Sequence, residues 1–142
     1  MKRRLVGGLR RTGAVAALAA VALVGSAGAA SAATGGAYAS GTGVFGSANW
    51  EWTKSGWKNG NAAVRDTACD GEPVFIHFQV RTSSSTYTTP KRWNQQGCGE
   101  TSSWAGLTYD AGYYVTSVRV VTCVDTGTPR CYYSDWQDNP LT

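Results

Sequence analysis

The run Tyr113-Tyr114-Val115-Thr116-Ser117-Val118-Arg119-Val120-Val121-Thr122-Cys123-Val124-Asp125, with Thr126-Gly127-Thr128-Pro129 and Arg130-Cys131-Tyr132-Tyr133-Ser134-Asp135-Trp136 after it, decides the fold class. It is rich in β-branched and aromatic residues, breaks at a turn sequence, and resumes as a second such run. Placing Cys123 opposite Cys131 centres the turn on Gly127. The same register sets Val121 opposite Tyr133 and Arg119 opposite Asp135, and on the other face Val118 opposite Trp136. Apolar meets apolar and cation meets anion, which are favourable cross-strand pairs. Non-hydrogen-bonded partners in an antiparallel pair have Cα atoms ~4.5 Å apart, within reach of a disulfide. The spacing therefore predicts a Cys123–Cys131 disulfide in a terminal hairpin, leaving Cys69–Cys98. On the loop-entropy model the two bonds contribute about 2.5 and 3.5 kcal/mol, comparable with the net stability of a small domain.

Working outward, Val74, Ile76, Phe78 and Val80 alternate with Phe75, His77, Gln79 and Arg81, and the first set is predicted to face the core. Residues 49–54 alternate Trp50, Trp52 and Lys54 against Asn49, Glu51 and Thr53. Ser55-Gly56 and Asn59-Gly60-Asn61 read as turns, and Ala62 to Cys69 as a short strand. A hairpin over residues 62–81 through Asp70-Gly71-Glu72 would put Asp66 on the Val74/Ile76 side, as a structural carboxylate that needs backbone donors or an Arg partner. Residues 82–109 are predicted to hold one or two strands and a long loop around Cys98. Short strands, Gly-rich turns and no helical period predict an all-β fold, a small antiparallel β-sandwich or barrel with two disulfides, after a cleavable signal peptide.

That signal is residues 1–32. Lys2, Arg3, Arg4, Arg10 and Arg11 precede the uncharged, Ala-rich stretch 12–33. Its apolar run, Ala14 to Val24, spans eleven residues, short for a ~30 Å hydrocarbon core. Small residues at Ala30-Ser31-Ala32 then suit cleavage. The whole chain carries 13 basic and 9 acidic residues. Without the signal's five cations it carries eight and nine, so the apparent basicity belongs to the targeting segment and argues against nucleic acid or stable membrane association. Residues 33–48 read as a flexible Gly/Ala/Ser-rich arm, or alternatively as an extended segment that adds to a sheet, its own or a partner's. Residues 49–142 form the disulfide-bonded β domain.

Candidate sites are few. His77 is the one histidine. A small secreted hydrolase would have to be built on it, with Glu72 or Glu100 and Arg81. Alternation instead sets it on the strand face away from the core. The carboxylates Glu51, Asp66, Glu72, Glu100 and Asp110 carry no spacing that pairs them for glycoside hydrolysis. With a single His and no Cys-x-x-Cys, no catalytic residue, metal or cofactor is assigned. All 16 aromatic residues follow the signal. Trp50, Trp52, Trp57, Trp93 and Trp104, with Tyr38 and Phe45 of the arm, are the candidate binding residues, because six tryptophans exceed the needs of a core this small. The loop Trp93 to Glu100, beside Lys91-Arg92, has the form of a tethered protease-inhibitor loop.

The stretch Val64-Arg65-Asp66-Thr67-Ala68-Cys69-Asp70-Gly71-Glu72-Pro73-Val74-Phe75-Ile76 resembles small secreted actinobacterial β-sandwich proteins, which carry a Val-x-Asp…Asp-Gly-x-x-Val-aromatic pattern after an Ala-rich signal. Most have no assigned activity, so the resemblance implies a fold and a compartment. One group of similar size is the adaptor subunit of secreted umbrella toxin particles, which docks through an extended N-terminal arm. The expected function is a secreted, extracellular, non-catalytic protein-interaction module that contacts another secreted protein through its N-terminal arm and aromatic loops. The alternatives are a lectin-like module binding polysaccharide through exposed Trp, a protease-inhibitor-like protein, and the His77 hydrolase.

Overall fold

The computed structural model describes residues 31–142. The signal-peptide reading therefore falls almost wholly outside the described residues. Ten strands form two antiparallel sheets. Sheet A has the order β1-β2-β3-β7, from β1 (Thr34–Gly41), β2 (Val44–Thr53), β3 (Gly56–Asp66) and β7 (Thr101–Asp110). Sheet B is centred on β4 (Val74–Thr82) and β8 (Val115–Val124), which pair along their length. The short strands β5 (Thr86–Thr88) and β6 (Arg92–Trp93) line the outer edge of β4. The strands β9 (Arg130–Tyr133) and β10 (Gln137–Asp138) line that of β8. The inward sides of both sheets meet in one core, with Val44, Trp50, Trp52, Trp57 and Val64 from one and Ile76, Phe78, Val80, Val118 and Val120 from the other. The predicted all-β sandwich with two disulfides is the fold, and the inward set on β4 is the predicted one.

The terminal hairpin has the predicted register over its first half. Cys123 pairs with Cys131 and Val121 with Tyr133, and the disulfides are Cys69–Cys98 and Cys123–Cys131. Beyond Tyr133 the register slips. Val118 pairs with Gln137, not Trp136, because the chain spends one extra residue between β9 and β10. Trp136 is thereby turned to the outer face, and Arg119 bonds Gln79 Oε1 (2.8 Å) in place of Asp135.

Residues 62–81 are not a hairpin. β3 pairs only within sheet A and β4 only within sheet B, so Thr67 to Pro73 carries the chain from one layer to the other. Asp66 sits at that corner, buried, and its Oδ1 accepts the amides of Ala68 (3.1 Å) and Cys69 (3.3 Å).

The Asn59-Gly60 turn signal is a bulge inside β3. Asn59 has φ of 49°, and the β2–β3 register shifts by one residue there. The extra residue inverts the parity of the strand, so Trp57 and Ala62 both point inward. A matching irregularity in β7 at Gly106, whose φ is 69°, lets Leu107 and Tyr109 follow the same switch.

The expectation of a flexible arm over residues 33–48 is corrected. These residues form β1 and the first half of β2, in continuous register from Thr34↔Glu51 to Gly41↔Val44. Their glycines provide clearance where they were read as flexibility. A Cβ at Gly46 would run into Thr122 Cγ2 of the facing sheet, and one at Gly41 into the Tyr132 ring. Gly46→Val is expected to cost about 1–3 kcal/mol of stability through overpacking. A thermal or urea melt checks this, and an unchanged midpoint would mean that the segment does not pack.

Candidate functional site

The sequence-derived aromatic candidates separate into four places. Trp50, Trp52 and Trp57 are a correction: all three are core residues, each at most 5% exposed. Alternation along β2 points Trp50 and Trp52 inward, and the β3 bulge does the same for Trp57. Trp57 lies 5.1 Å from Phe78 and stacks on Tyr109 at 4.8 Å. These rings fill the sandwich and contact no solvent-borne ligand.

Trp93 is held by β6 on the outer face of sheet B. It packs at 4.6 Å on Phe75, with the Lys91 ammonium 4.4 Å from the Phe75 ring. Phe75, Val121 and the Cys123–Cys131 disulfide join Trp93 in a second, small apolar cluster on the side of the sheet away from the main core. His77 lies on this face, as alternation predicts, yet it is only 8% exposed. Its ring is 5.8 Å from that of Phe75, and Nδ1 has no hydrogen-bond partner. Burial first, and the Lys91 charge second, push its pKa below the ordinary 6.5. A buried neutral imidazole beside a cation lacks the carboxylate that orients a general base.

Trp104 is half-buried on β7, with the Arg92 guanidinium 5.9 Å from its ring. Tyr38 and Phe45 are the exposed pair. They stand on the outer face of the β1–β2 hairpin, with ring centres 6.3 Å apart, and Tyr38 is 68% exposed.

Two groupings lay beyond sequence reasoning. Arg119 lies over both Tyr133 (4.4 Å) and Trp136 (4.6 Å), and Arg81 lies over Trp136 (4.0 Å), a ladder created by the register slip after β9. Tyr87 of β5 and Tyr113, just before β8, meet at 6.0 Å. Tyr-Tyr at 113–114 was visible in the sequence, but the neighbour on β5 is far away along the chain.

Five of the carboxylates are committed to separate local tasks. Glu51 pairs with Lys58 at 3.8 Å. Asp66 caps the corner already described, Asp70 accepts the Glu72 amide (3.1 Å), and Asp125 accepts the Gly127 amide (3.2 Å) in the terminal turn. Asp110 accepts the Gly112 amide (2.8 Å), which with a bond from Ser55 lowers its pKa. Among the described residues no three His, Cys, Asp or Glu side chains gather as a metal site would require. The loop 94–100 is internally braced. Asn94 Nδ2 donates to the Gly97 and Glu100 carbonyls, and Asn94 Oδ1 accepts from the Gln96 amide and the Ser102 hydroxyl.

β1 is one of the two edge strands of sheet A, β7 being the other, and its outer side pairs with no strand among the described residues. Trp52 N–H donates to the Ala33 carbonyl (2.8 Å). By antiparallel alternation the main-chain groups of Gly35, Ala37, Ala39 and Gly41 therefore bond β2, while those of Thr34, Gly36, Tyr38 and Ser40 point away from the sheet. Beside this edge is a trough of about 360 Å³ lined by Gly36, Tyr38, Ser40, Tyr133, Asp135 and Gln137.

No protein-family model, curated protein or solved structure matches the chain.

The lowered His77 pKa has a definite sign in stability. Above pH 6.5 the imidazole is neutral in both folded and unfolded chains. Below it the unfolded chain takes up a proton that the folded protein resists, so stability falls as the solution is acidified. His77→Leu is expected to flatten the loss of melting temperature between about pH 7 and pH 5. A wild-type slope in the variant would remove His77 from the account.

Proposed function

We propose that the chain is a secreted, non-catalytic binding module that captures an extracellular protein by adding one of that protein's strands to β1. The observation that carries this reading is the edge itself. β1 is eight residues long, Thr-Gly-Gly-Ala-Tyr-Ala-Ser-Gly, with no charge and no proline. Sheet edges are ordinarily blunted by Lys, Pro, bulges or a covering loop, because an open row of N–H and C=O groups templates another strand. Here every second residue offers both groups to the trough alongside, and small side chains let a partner approach closely. Strand addition draws affinity from main-chain hydrogen bonds and specificity from flanking side chains. The exposed Tyr38–Phe45 pair beside the edge provides such a contact.

Export agrees with the rest. Two disulfides fit an oxidising compartment, the segment 1–32 reads as a signal peptide, and no helix among the described residues is long and apolar enough to cross a membrane.

Ser40→Pro is the discriminating variant. It removes a free-edge N–H and leaves the β2 ladder intact, a placement that edge strands tolerate. Tagged wild-type protein is expected to retain a protein from its own culture supernatant that Ser40→Pro, with an unchanged melting temperature, loses by about tenfold or more. On adding that partner, the Gly36 and Tyr38 amides should become protected from hydrogen exchange. Equal retention by both proteins would refute the edge as the docking site.

A further inference from the structure

Beside the β1 edge, a shallow groove of about 280 Å³ crosses the outer face of sheet A from β2 to β7. The sheet's own register cuts it. Ser47 on β2, Ala63 on β3 and Ser103 on β7 are successive partners, and their small side chains leave a low row across three strands. Tyr38 on β1 is the next partner in the same row, so its ring stands at the open end. With strands ~4.8 Å apart, the row from Tyr38 to Ser103 is roughly 14 Å long.

The flanking rows differ in chemistry. On one side are Asn49 and Asn61, joined by a bond from Asn61 Nδ2 to Asn49 Oδ1 (2.9 Å). That bond occupies one amide hydrogen and one carbonyl oxygen. The remaining amide groups of this pair, and the hydroxyls of Ser47 and Ser103, bond no other protein group among the described residues. On the other side Phe45 is the partner of Arg65. Arg65 is exposed, and the single ion pair within 4.0 Å among the described residues is Lys58–Glu51, so its guanidinium has no carboxylate.

We propose that this groove binds a stretch of acidic polysaccharide. β2 and β3 lie inside the sheet, and their main-chain groups are consumed by its ladders. The middle of the groove therefore offers a ligand hydroxyls and primary amides on a rigid frame and no free main-chain groups, and the ring faces of Tyr38 and Phe45 and the cation of Arg65 flank it on the same face. That combination suits a chain of polyhydroxylated rings, whose hydroxyls both donate and accept. The Asn49–Asn61 pair and the two serines meet the sugar hydroxyls, the exposed face of Tyr38 meets a ring, and Arg65 meets a carboxylate, the group its planar fork fits best.

The test titrates the purified protein with an oligogalacturonate and with a neutral cello-oligosaccharide of the same length, by calorimetry at low salt. The acidic oligomer is expected to bind at least about fivefold more tightly than the neutral one. Asn61→Ala should weaken both by about tenfold, through loss of the amide and of the bond that orients Asn49. Arg65→Gln should abolish the preference for the acidic chain and leave neutral binding unchanged. Both side chains are exposed, and melting curves verify the fold of each variant. Ser40→Pro should bind either oligomer as the wild type does, which separates this site from protein capture at the edge. No binding of the acidic oligomer at millimolar concentration, equal or tighter binding of the neutral one, or acidic binding that survives both substitutions would overturn the proposal.

Discussion

The packing of Trp50, Trp52 and Trp57 between the two sheets is the constraint on which the rest of the structure depends. Trp50 meets Trp52 edge-on at 5.3 Å and Phe78 edge-on at 6.1 Å, while Trp57 bridges Phe78 and Tyr109. Aromatic pairs at such separations contribute beyond the area they bury. Their bulk dictates what neighbouring strands carry. Gly35 lies where any Cβ would strike the indoles of Trp50 and Trp52. The bulge at Asn59-Gly60 exists in the fold because Trp57 and Ala62, five positions apart, must share one face. The small residues of β1 and the irregular middle of β3 are thus consequences of one crowded layer.

That layer has a functional consequence. A strand made of Gly, Ala and Ser to clear large rings on its inner side has little left to guard its outer edge. Sheet A therefore ends in β1, a bare row of donors and acceptors, while the sheet B edge beside β8 is broken into two short pieces, β9 and β10. The outer face of β2 and β3 carries a low patch at Ser47 and Ala63, with Asn49 and Asn61 beside it.

Much of this was legible in the chain. The alternation of Val74, Ile76, Phe78 and Val80 reports its face directly, because a period of two has a single reading when one side is apolar. The Cys123–Cys131 pairing was legible from its spacing about Gly127, and of the three further pairs that register implied, Val121–Tyr133 is the one in the structure. The failures share a cause. Asn59-Gly60 has the chemistry of a turn because a bulge and a turn ask the same thing of the backbone, a residue at positive φ. Only the residues facing it across β2 and β7 distinguish the two. The glycines of 33–48 looked flexible because clearance for rings from another strand leaves no local mark. Trp136 is not opposite Val118, as the unbroken register would have it, because a one-residue slip moves a side chain to the opposite face. The exposed Tyr38 and Phe45 were singled out from sequence, whereas Trp50, Trp52 and Trp57 were chosen by the same argument and lie in the core. Ring type indicates the capacity to bind, and position decides whether solvent can reach it.

Residue-resolved amide hydrogen exchange over β1 tests the central claim most directly. The account predicts alternation, with the amides of Gly35, Ala37 and Ala39 protected by β2 and those of Gly36, Tyr38 and Ser40 exchanging at near-unfolded rates in the isolated protein. Rapid exchange at every one of these positions would mean that the segment is a free arm, and would contradict both the packed edge and the docking role built on it.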